Sequence, residues 1–204
     1  NGGAWTSFVM DGNDATTPVS FTNNLRMRGK SASGTVDFES SKGFMISFTE
    51  NTPVTCSGDI RTLVDYTNYE TTSTANACFS SLFMNCSALA DASELKLISN
   101  NNEMAESCYE SMFTRCSKLI SAPVLPAETL VTNCYWHMFE DCTNLNSVTM
   151  LATNIEATGC LTNWMEGVAA AGTFTKAASM TSLPGGASGI PSGWTPTNYV
   201  QSEN

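Results

Sequence analysis

The sequence predicts an α/β solenoid of about three to four units behind a small antiparallel β-domain, and three observations carry that expectation. The first is a repeat. Cys78, Cys108, Cys134 and Cys160 stand 30, 26 and 26 residues apart, and three of them have a second cysteine eight residues on, at Cys86, Cys116 and Cys142. The segments CFSSLFMNCSAL, CYESMFTRCSKL and CYWHMFEDCTNL share the pattern C-aromatic-x-x-[LM]-F-x-x-C-x-x-L. Self-similarity at this period marks units that bury their apolar faces only by stacking on neighbours.

The second observation is the spacing inside a unit. With the first cysteine as zero, apolar residues fall at 0, +1, +4, +5, +8 and +11. At about 100° per residue these cover one stripe of a helix. Cys108, Met112, Cys116 and Leu119 lie on it, and Cys160, Trp164 and Val168 continue it in a fourth, terminal variant. The third observation is a period of two before the repeats. Val19/Phe21, Leu25/Met27, Val36/Phe38, Phe44/Ile46/Phe48 and Val54/Cys56 alternate apolar with other residues, as strands with one buried face do.

In chain order, residues 1–62 are expected to form the β-domain, with GKSASG and ESSKG as turns, and to cover the first repeat. Residues 63–170 are expected to form the solenoid. In the second unit LISAPVLPAETL follows the helix, and Pro123 and Pro126 make it an extended segment with a turn. The first unit replaces it with LADASELKLISNNNEMA, which is expected to bulge as a loop tipped by Asn100–Asn102. Residues 171–204 are rich in Gly, Ser, Thr and Pro but anchored by Phe174, Met180, Leu183, Ile190 and Trp194. They are expected to form an irregular cap.

The run CYESMFTRCSKLISAPVLPAETLVTNCYWHMFEDCTNL resembles the repeat of BspA-type leucine-rich-repeat surface proteins of anaerobic gut and oral bacteria. The stretch WMEGVAAAGTFTKAASMTSLPGGASGIPSGWT resembles the closing segment of that group, and SGDIRTLVD its entry into the first repeat. The first unit departs from the pattern, because it lacks the PxLPA sequence. The resemblance implies a leucine-rich-repeat-like solenoid on an exported protein that binds host or matrix molecules. On that footing the chain is expected at the cell surface or secreted, with a leader or lipid anchor outside the given sequence.

Charge and motifs narrow the functions. Residues 63–204 carry four basic against thirteen acidic side chains, which repels a phosphate backbone and argues against nucleic acid. No apolar run is long enough to span a bilayer as a helix. His137 is the only histidine, it sits off the apolar stripe, and no GxSxG, HExxH or phosphate-binding glycine loop is present. Asp11-Gly-Asn-Asp14 lacks the alternating ligands of a calcium loop and reads as a turn. No catalytic residue, metal site or cofactor is therefore expected. Eight cysteines without a CxxC pair suit neither zinc nor, within one helix, disulfides. Bridges between neighbouring units are difficult in geometry but not impossible. The reading adopted is two columns of buried thiols acting as small apolar side chains.

Trp136, at offset +2 where other units have Ser80 and Glu110, is not required by stacking. It is the expected ligand contact, with His137 beside it and Asn101 in the insertion. The leading expectation is a non-catalytic recognition or adhesion module for a protein or glycan at the cell surface. A structural spacer or assembly subunit of a surface layer comes second, and a glycan hydrolase third.

Overall fold

The computed structural model describes residues 24–31, 34–37, 42–48, 50, 52–98 and 104–201, and corrects the expected fold class. Among the described residues there is no α-helix, only two single 3-10 turns at Ile60–Leu63 and Tyr69–Thr71. The strands are β1 (Val36–Asp37), β2 (Lys42–Gly43), β3 (Val54–Asp59), β4 (Leu89–Lys96), β5 (Ser147–Met150), β6 (Gly172–Lys176) and β7 (Trp194–Asn198). β3 pairs parallel with β4, and β5, β6 and β7 form a second parallel sheet in that order. Single parallel bridges from Asp91 to Ser121 and from Ser121 to Ser147 link the two. The molecule is thus neither a helical α/β solenoid nor one headed by an antiparallel β-domain.

Each segment expected to be a helix is a ribbon of consecutive β-turns. In the first unit the N–H groups of Cys78, Ser80, Leu82, Met84 and Cys86 each close a turn on the carbonyl three residues back. The alternate N–H groups of Ala77, Phe79, Ser81, Phe83 and Asn85 instead donate to Glu106, Cys108, Glu110, Met112 and Thr114 of the next unit, at 2.8–2.9 Å. Half of the backbone donors are satisfied within the unit and half by its neighbour. An α-helix would keep nearly all of them internal.

The turns need a left-handed residue every fourth position. Positive φ falls at offsets −1, +3 and +7: Ala77, Ser81 and Asn85; Ser107, Ser111 and Arg115; Asn133, His137 and Asp141; Gly159, Asn163 and Gly167. Asn, Asp, Ser and Gly dominate these positions, residues that tolerate this conformation or turn readily and that rank low in helices. An exact period of four also aligns offsets 0, +4 and +8 on one line. A helix would rotate the last by about 80° from the first. That pattern, four-residue punctuation by turn-forming residues, was the available signal against a helix.

The apolar offsets themselves all point inward. Cys78, Phe79, Leu82, Phe83, Cys86 and Leu89 are buried, as are their counterparts from Cys108 to Leu119 and from Cys134 to Leu145. Stacking puts like on like. Phe79, Tyr109 and Tyr135 form one aromatic column with ring centroids 5.8 and 6.1 Å apart. Phe83, Phe113 and Phe139 form another at 5.5 and 5.6 Å. Both columns end on Trp164, which lies 6.4 Å from Tyr135 and 6.2 Å from Phe139.

The N-terminal segment runs along the first ribbon. The N–H groups of Thr35, Ile46 and Val54 donate to the carbonyls of Cys78, Leu82 and Ala88, the role that each unit plays toward the next. Antiparallel pairing there is confined, among the described residues, to β1 with β2 and a bridge from Lys30 to Asp65. Leu25 and Met27 lie outside any strand, and Val19, Phe21 and Asp11–Asp14 lie outside the described residues. The segment LADASELK, expected to open a loop, is strand β4, whereas Asn100–Asn102 lie outside the described residues. The expected irregular cap contains β6 and β7. Pro196 sits in β7, the last strand of the stack, where Tyr199 N–H donates inward to Lys176 O. By alternation, the missing N–H of Pro196 is on the outer edge, which blunts further strand addition.

Two stacked tyrosines differ in one respect. Tyr109 Oη accepts from the buried Ile98 N–H at 3.0 Å, whereas the equally buried Tyr135 Oη has no hydrogen-bond partner. An unpaired buried hydroxyl carries an uncompensated desolvation cost of about 1–3 kcal/mol. Tyr135→Phe is therefore expected to raise stability by about 1 kcal/mol, and Tyr109→Phe to lower it by a similar amount by stranding Ile98 N–H. Urea unfolding of both variants checks this. Equal losses would mean that the two hydroxyls are equally well satisfied in solution.

Candidate functional site

The cysteines lie inside, not on a reactive surface. All eight are free; Cys56 is half-buried, and the other seven are buried. Cys116 S–H donates to Phe83 O and Cys142 S–H to Phe113 O, each at 3.0 Å across one rung of the stack. Burial pushes the thiols of Cys78, Cys134 and Cys142 up to about 12, and that of Cys56, with Cys86 adding to it, up to about 11. Thiolate nucleophiles require the opposite shift. Among the described residues no group of three or more Cys, His, Asp or Glu side chains is placed to hold a metal ion.

Trp136 stands on the ribbon side of the third unit, not on a helix. Its N–H closes a turn on Asn133 O, and its carbonyl accepts from Ser111 N–H at 2.8 Å. That rung fixes its backbone between the second and third units. The indole is half-buried and meets the imidazole of His137 edge-on, with ring centroids 4.9 Å apart. His137 occupies a left-handed turn position (φ 53°), which turns its side chain back beside that of its neighbour. Its carbonyl accepts from Thr114 Oγ1 at 2.7 Å, and its N–H donates to Thr162 O at 3.0 Å.

Glu140, three residues on, completes the group. Its Oε2 lies 3.0 Å from His137 Nδ1, close enough for an ion pair when the imidazole is protonated, though not in hydrogen-bonding direction. Both side chains are about three-quarters covered. Glu110 and Thr162 hold the Trp136 position in the flanking units, so one strip carries Glu110, Trp136, His137, Glu140 and Thr162. The arrangement offers a fixed aromatic face with hydrogen-bonding and acidic groups around it. It contains no activated nucleophile. Sequence reasoning singled out Trp136 and His137, with Glu140 as an acidic neighbour three residues on, and the turn ribbon brings the His137 and Glu140 side chains together. Asn101, the third expected contact, lies outside the described residues.

Fold and strip together define a repeat protein built of stacked β-turn ribbons bordered by short parallel sheets. No known family, no curated protein and no solved structure matches the chain. No helix among the described residues is long and apolar enough to cross a membrane.

Proposed function

We propose that this protein is a non-catalytic recognition module of the cell surface, binding a protein or glycan through the strip around Trp136. The observation that carries the reading is the indole itself. It occupies a position that stacking fills equally well with Ser80 or Glu110, its backbone is anchored by the Ser111 rung, and its ring meets that of His137 edge-on. A rigid aromatic with polar neighbours binds at low entropic cost. The resemblance of the repeat to BspA-type surface proteins supports the same reading, with host or matrix molecules as the partners it implies.

A glycan and host-protein array is the first experiment. On any ligand so found, Trp136→Ala is expected to weaken binding by at least about 1 kcal/mol with little change in melting temperature. Unaltered affinity would remove the strip from the binding surface. A large fall in melting temperature would make the indole a packing residue instead.

A further inference from the structure

The outward donors of the fourth ribbon are only partly taken up. In the third ribbon Asn133 N–H and Tyr135 N–H donate to Thr158 O and Cys160 O of the next unit, at 3.0 and 3.1 Å, and the same two offsets pair in the same way at both earlier rungs. The fourth ribbon keeps the same turns, since Thr162 N–H closes on Gly159 O and Trp164 N–H on Leu161 O. Gly159 N–H and Leu161 N–H therefore face outward as their counterparts do. The closing segment takes the next two donors, with Ser188 Oγ serving Asn163 and Ala187 O serving Met165. Gly159 N–H and Leu161 N–H have no acceptor among the described residues. Gly167 N–H has none either, but Gly167 is exposed at the far end of the ribbon.

A cavity of about 180 Å³ opens beside this donor pair. Gly159 and Leu161 line it together with Ile155, Ala157, Pro184 and Ser188, and no acidic or basic side chain borders it. Sites for whole small molecules run to about 300–1,000 Å³, so this one has room for a side chain or two and no more. Its polar demand is for acceptors. The other rungs show which acceptors fit: two main-chain carbonyls, two residues apart. A sugar ribbon would bring hydroxyl donors that need acceptors in turn, and an apolar lining offers few.

We infer that this corner docks an extended peptide of a partner protein, which gives two main-chain carbonyls to Gly159 and Leu161 and an uncharged apolar side chain to the cavity. The mode is strand addition, in which main-chain hydrogen bonds supply affinity and a side-chain pocket supplies selectivity. The seat is continuous with the one that the closing segment already takes on the same edge, so a bound chain would carry the row of rungs on from Ser188 and Ala187 to Leu161 and Gly159. Thr162 borders both the cavity and the Trp136 strip, but the indole supplies neither the donors nor the lining.

The test uses the whole protein labelled with ¹⁵N and the acetylated, amidated pentapeptide Ala-Val-Ala-Val-Ala. Without peptide, the Gly159 and Leu161 amides are expected to exchange with deuterium about tenfold faster than those of Asn133 and Tyr135. With peptide, both signals should move downfield and their exchange should slow. The Ala-Asp-Ala-Asp-Ala counterpart should bind about tenfold more weakly, since its carboxylate would enter the cavity without a partner. Ala157→Phe, which fills the cavity, should abolish the response, and Trp136→Ala should leave it intact. The exchange and titration of the parent protein stand whether or not the phenylalanine variant folds. Equal protection of the four amides without peptide, no response to the valine peptide, or an equal response to the aspartate peptide would overturn the inference. So would the same shifts with cellohexaose, or their loss in Trp136→Ala, which would put the peptide on the strip instead.

Discussion

Removing residues 171–204 is expected to abolish the cooperative fold of the repeats, giving aggregation in place of a stable monomer. The fourth ribbon has no following ribbon to take its outward donors. The closing segment does so: Asn163 N–H donates to Ser188 Oγ at 3.0 Å and Met165 N–H to Ala187 O at 3.1 Å. β6 covers β5, and Phe174, Met180 and Trp194 are buried in doing so. Each such side chain stabilises by about 1.5–3 kcal/mol on burial, against a total for a domain of about 5–15 kcal/mol. Size-exclusion chromatography and thermal unfolding of the truncated protein check this. A monomer with unchanged melting would show that the segment does not close the stack.

Trp164→Ala is expected to cost about 3–5 kcal/mol, the range for a large aromatic removed from a core. Trp164 is wholly buried where both aromatic columns end, and it also meets Phe174 of β6 edge-on at 5.9 Å. Its Nε1–H donates to Gly189 O at 3.0 Å, fastening the closing segment to the repeats. Trp164→Phe should lose less, since it keeps an aromatic ring and forfeits the hydrogen bond. Denaturant midpoints with unchanged m-values would establish both. A loss below about 1 kcal/mol for the alanine variant would mean that the columns do not carry stability through this residue.

The candidate site was legible in part. Trp136 stood out because the equivalent positions hold Ser80 and Glu110, a comparison that internal repetition makes possible. Glu140, three residues after His137, is a near neighbour of it on a helix and on a turn ribbon alike, so their approach does not depend on which backbone the segment adopts. The N-terminal alternation predicts strands but not their pairing, because a period of two carries no information on the partner. Its residues pair with the first ribbon instead, through Thr35, Ile46 and Val54.

Taken by itself, the sequence determined the repeat, its length, and the side chains that face inward, since burial of Cys, Phe, Tyr, Met and Leu follows from transfer free energy and recurs at the same offsets in the first three units. The backbone path was decided only in the tertiary structure. Offsets 0, +1, +4, +5 and +8 suit a helix stripe and a ribbon of four-residue turns alike. What separates them is where alternate N–H groups find acceptors. Those acceptors are carbonyls of the next unit, 25 to 29 residues along the chain, beyond the reach of any local pattern.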